Sequence, residues 1–105
     1  MSKAEIRRLD REIQKTQNKL EAVQRGEWWP LTPRERLAMT RALASGARSV
    51  HKGRSTSGAE SRMESIDSSV TARLNAELTA LNGEKLRLLT EAARAKAAKK
   101  ASGWW

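Results

Sequence analysis

Residues 59–98 read AESRMESIDSSVTARLNAELTALNGEKLRLLTEAARAKAA, and the spacing within this stretch decides the fold. At about 100° per residue, Met63, Ile66, Val70, Leu74, Leu78, Leu81, Leu88 and Ala92 fall on one stripe, the pattern of a helix with a single apolar face. Arg73, Glu77 and Lys85 stand where a strict seven-residue repeat wants apolar side chains. The period therefore drifts toward about 3.67 residues per turn, which predicts a straight or slightly right-handed seam. The Arg73 side chain can lie beside that seam, so Arg73→Ala should matter far less to assembly than Leu74→Asp or Leu81→Asp. Asn82-Gly83 is a turn-type dipeptide, but the stripe keeps its phase across it, so one continuous helix is predicted.

Upstream, the predicted first helix covers residues 3–25, with Ile6, Ile13 and Leu20 at one heptad position and Leu9, Thr16 and Val23 at the other. Arg8→Glu12 and Glu21→Arg25 are helix-surface pairs, Gly26 is a stop signal, and Pro30 prevents continuation. The second helix is expected over residues 33–45, anchored by Leu37 and Leu43 with Met39 or Ala44 beside them, and ended by Gly46. Residues 46–57 hold two glycines and a run of Ser and Thr, the composition of a flexible basic loop. Ser2-Lys3-Ala4-Glu5, Thr32-Pro33-Arg34-Glu35 and Ser57-Gly58-Ala59-Glu60 each match the capping box, in which hydroxyl and carboxylate satisfy backbone N–H groups reciprocally. Trp28-Trp29 is expected to close the turn between helices by packing, and residues 99–105 form a tail.

The fold class is all-α: a long helical hairpin of coiled-coil type, with a short middle helix and a basic loop. The chain of 105 residues is read as a single helical domain. Ala, Leu, Glu, Lys and Arg dominate, and Phe, Tyr and Cys are absent. Such an inventory gives a thin core, and a first helix of about 35 Å covers only part of a third of about 55–60 Å. An oligomer is therefore expected, with Val70, Leu74, Leu78, Leu81 and Leu88, and the terminal Trp104 and Trp105, forming the surface toward a second copy or another helix.

Chemistry-bearing patterns are few. His51 is the lone histidine, and no acid falls between Arg36 and Ala59 to orient it as a base. With no cysteine and one histidine, neither a zinc site nor another cofactor is expected. Lys52-Gly53-Arg54-Ser55 has the wrong order, and no preceding strand, for a nucleotide-binding loop. The chain is read as non-enzymatic.

Charge carries the functional reading. The net charge is +9, and residues 33–62 hold seven cations against Glu35 and Glu60. Arg36, Arg41, Arg48, Lys52 and Arg54 are expected to contact phosphates, together with the acid-free run Arg94, Lys96, Lys99 and Lys100. The expected function is association with nucleic acid, mainly through its backbone. The alternative is a coiled-coil assembly or adaptor protein that meets an acidic protein surface, and a membrane surface ranks last. Residues 1–10 are charged and carry no apolar leader-like run, and cysteine is absent, so a cytoplasmic location is expected.

Overall fold

The computed structural model describes residues 3–102. Three helices, α1 (Lys3–Gln24), α2 (Pro33–His51) and α3 (Ser57–Ser102), hold 87% of them, and no strand occurs among them. α3 passes through Asn82 and Gly83 without a break. None of the helices is long and apolar enough to cross a membrane. Two compact units are distinguished: Asn18–Asn75, and a second that joins α1 up to Gln17 to α3 from Ala76 onward.

Within Asn18–Asn75 the core is Val23, Leu31, Met39, Val70 and Leu74, flanked by the partly buried Leu20, Trp28, Met63 and Ile66. Trp28 thus packs as expected, while Trp29 stays half exposed and its indole N–H donates to Glu27 Oε1 at 3.2 Å. Both connections begin in the same way. After α1, Gly26 takes φ +79°, Glu27 N–H donates to Ala22 O, and Gly26 N–H donates to Val23 O. After α2, Gly53 takes φ +68°, Arg54 N–H donates to Ser49 O, and Gly53 N–H donates to Val50 O. A glycine in the left-handed region closing these two bonds is the Schellman ending.

The second of these endings corrects the expected boundary. Gly46 does not stop α2; the helix runs on to His51, and the connection shrinks to residues 52–56. The absent side chain at Gly46 serves packing instead. A Cβ there would stand 3.2 Å from the Cβ of Ala59 on α3, so the bare backbone lets the two helices approach. The anchors change with it. Met39 and Ala42 are buried, whereas Leu37 is 50% and Leu43 46% exposed. α2 packs through Ala38, Met39, Ala42, Ser45, Gly46 and Ser49, a mostly small-residue face that turns both leucines outward.

Arg73 does not lie idle beside the seam. Its Nη2 and Nε donate to Glu35 Oε1 and Oε2 at 2.9 and 3.1 Å, and Nη2 also reaches Pro30 O at 3.3 Å. A guanidinium fork matched to one carboxylate needs no apolar neighbour at that heptad position. Glu35 is also the acid of the one capping box that forms as expected, accepting from Thr32 N–H at 2.8 Å while its own N–H donates to Thr32 Oγ1 at 3.2 Å. The box expected at Ser57 is replaced by Thr56, whose Oγ1 donates to Glu60 Oε1 at 3.0 Å. The box expected at Ser2 falls outside the described residues.

In the other unit Leu9, Thr16 and Leu88 are buried. Thr16 satisfies its hydroxyl within α1 by donating to Glu12 O at 2.9 Å, which is why a polar residue is tolerated at that heptad position. Lys85, a second exception to the heptad, pairs with Asp10 at 2.6 Å.

Val70 and Leu74, at 0% exposure, and Leu88, at 5%, are consumed inside the chain. They are corrected from partner surface to internal core. Leu78 and Leu81 are half-buried, and Trp104 and Trp105 lie outside the described residues.

Candidate nucleic-acid interface

The longer α2 changes the nature of the basic segment. Arg48, expected on a flexible loop, sits on a helix in register with the arginines before it. Arg34, Arg41 and Arg48 are spaced by seven residues, so they line up along one face of α2 at intervals of about 10.5 Å with a drift of about 20° per interval. Leu37 and Ala44 fall between them, and His51 ends the row; all six residues are exposed. In the sequence Arg34 is legible as one of the cations of this segment, but not as a member of a row. Its signal was the seven-residue spacing, which requires the helix to extend past Gly46.

Acid is withheld from this face in two ways. Glu35, the one carboxylate of α2, is held on the inner side by Arg73. Burial pushes the Glu35 carboxyl up, but the Arg73 hydrogen bonds, the Thr32 N–H and the Arg73 charge outweigh it, and its pKa ends below the ordinary carboxylate value. Glu60 accepts from the Thr56 hydroxyl. Among the described residues, the side chains of Arg34, Arg41, Arg48, Lys52 and Arg54 have no hydrogen bond or ion pair.

Arg36 separates from this group. It lies on a different side of α2, and its Nη2 donates to Trp29 O at 3.2 Å. Lys52 forms the C-terminal cap of α2 and Arg54 follows Gly53, both exposed at the end of the arginine row. Arg94, Lys96, Lys99 and Lys100 are exposed on the last turns of α3, where Lys99 and Lys100 complement the negative end of the helix dipole. They project around the helix instead of forming one row.

Sequence reading also missed Arg62. It lines a groove between α2 and α3 with Ala38, Arg41, Ala42, Ser65 and Ile66. No group of three or more His, Cys, Asp or Glu side chains that could hold a metal occurs among the described residues. No known protein family, curated protein or solved structure matches this chain.

Proposed function

We propose that this chain is a non-enzymatic, nucleic-acid-associated helical protein that binds mainly through phosphate contacts made by α2. The observation that carries the reading is the row Arg34, Arg41 and Arg48, exposed and unneutralised on one face, with Lys52 and Arg54 at its end. Duplex DNA presents one negative charge per about 1.7 Å of axis, so a row about 21 Å long meets phosphates wherever it is laid. Contacts to phosphate alone carry no sequence information, so binding through this row is expected to be indifferent to sequence.

The test is fluorescence anisotropy with labelled duplexes of unrelated sequence, at 50 to 200 mM salt. Affinity is expected to fall steeply with salt and to differ little between sequences. An affinity independent of salt would remove the reading.

A second reading, helical association, is favoured by the surface of distal α3. Leu86 and Leu89 are 65% and 44% exposed, and residues 91–101 are exposed throughout. An isolated stretch of helix of that length is marginal in water, which supports a partner helix or a second copy along it. The contacts of α1 support a hairpin of coiled-coil type: Asp10 meets Lys85, and Leu20 and Val23 join the cluster of Val70 and Leu74. The basic run from Arg94 to Lys100 favours an acidic partner face over pairing with its own kind.

A further inference from the structure

The seam between α2 and α3 carries arginine at two levels, and only one of them is answered. At the first level Arg73 meets Glu35 in a two-pronged pair. At the second, Arg41 from α2 and Arg62 from α3 line one groove of about 340 Å³, with Ser65 and the apolar Ala38, Ala42 and Ile66. No carboxylate lines this groove, and neither guanidinium has an ion pair or side-chain hydrogen bond among the described residues. Two guanidinium groups lining one groove without a carboxylate offer their N–H donors to any anion that enters it. Because one arginine comes from each of two packed helices, their meeting at one groove is a property of the fold.

We infer that the Arg41–Arg62–Ser65 groove is a phosphate-binding subsite that grips one backbone phosphate of the nucleic acid lying along α2. It rests on the nucleic-acid reading above and adds two residues to it. Guanidinium groups present paired N–H donors that match a phosphate's oxygens, and the Ser65 hydroxyl supplies one further donor. The apolar floor of Ala38, Ala42 and Ile66 lowers the local dielectric and strengthens those bonds. Arg41 belongs both to the outward row and to the groove, so a strand that follows the row delivers a phosphate to Arg62.

The test uses the full chain. Nitrogen-15 spectra of the arginine Nε–H groups are recorded against a short DNA duplex and, separately, against inorganic phosphate. The salt slope of duplex binding is measured for wild type, Arg62→Ala, Arg62→Lys and Arg48→Ala. The Arg41 and Arg62 signals are expected to move together with both ligands. Arg62→Ala should lower the slope of log affinity against log salt by about 0.9, the value for one phosphate. Arg62→Lys should keep the slope but bind more weakly, because an ammonium cannot form the fork. If Arg48→Ala lowers the slope while Arg62→Ala leaves it at the wild-type value, nucleic-acid binding stands and the subsite is overturned. If the duplex does not bind but inorganic phosphate still moves both signals, the nucleic-acid reading fails and the groove belongs to a free phosphate compound. If neither ligand moves them, the subsite is overturned.

Discussion

At the residue scale, the Arg73–Glu35 pair is the contact most out of line with what the sequence suggests. A heptad reading treats Arg73 as a flaw in an apolar stripe, yet its guanidinium joins α3 both to Glu35 of α2 and to the backbone of the turn before it, at Pro30 O. The pair is partly buried, with Arg73 31% and Glu35 19% exposed, so the solvent screening that makes surface pairs nearly worthless is reduced. Arg73→Ala is expected to destabilise by about 1.5–3 kcal/mol in chemical denaturation, the range for hydrogen bonds to a charged group. Glu35→Gln keeps a side chain able to complete the capping box and isolates the charge. Because the folded-state pKa of Glu35 is lowered, its contribution is present above the unfolded value and is lost as pH falls through the depressed folded value. The stability gap between wild type and Glu35→Gln is therefore expected near neutrality and should close in acid below the ordinary carboxylate range. A gap that widens on acidification would contradict the pairing.

At the scale of elements, Gly46 and Gly53 explain what the sequence could and could not disclose. Three helices and the absence of strands among the described residues were legible in the spacing of Met63, Ile66, Val70, Leu74 and Leu88, and in the turn residues between segments. The end of α2 was not. Gly46 and Gly53 give the same local stop signal, and what separates them is a tertiary contact with Ala59 that no local rule contains. The anchors of α2 were misassigned for the same reason. Close approach through small residues buries Met39 and Ala42, and the larger Leu37 and Leu43 are left at the flanks. The basic site was legible as composition, through Arg41, Arg48, Lys52 and Arg54. Its geometry was not, since the row from Arg34 to Arg48 exists only if the helix passes Gly46, and Arg62 enters only through packing. Substitution at either glycine is expected to destabilise, but for different reasons: crowding between helices at Gly46 and backbone strain at Gly53. Gly46→Leu should cost about 1–3 kcal/mol by overpacking against Ala59. Gly53→Ala should cost about 1–2 kcal/mol because its φ of +68° is unfavourable for a side chain. Thermal and denaturant melts of the two variants decide the point, and a harmless Gly46→Leu would contradict the close approach of α2 to α3 at Ala59.

For the whole molecule, internal packing and exposed surface divide the roles that the sequence had merged. Leu74 is fully buried in the cluster with Val70 and Met39, so Leu74→Asp is expected to abolish cooperative folding outright, seen as loss of helical circular dichroism at every concentration. Leu86→Asp with Leu89→Asp should leave the helical signal intact and weaken any concentration-dependent association measured by light scattering. Retained helicity in Leu74→Asp would return that residue to the partner surface.

The central claim is that a fixed row of arginines on α2, and not net charge alone, holds nucleic acid. The most direct measurement compares the salt dependence of duplex binding for two variants that each lose three positive charges. One is Arg34→Ala, Arg41→Ala and Arg48→Ala on the row; the other is Arg7→Ala, Arg8→Ala and Arg11→Ala, also exposed, on α1. The slope of log affinity against log salt is expected to fall by about two to three units for the row variant and by less than about one for the α1 variant. Equal losses from the two variants, or a larger loss from α1, would contradict the claim.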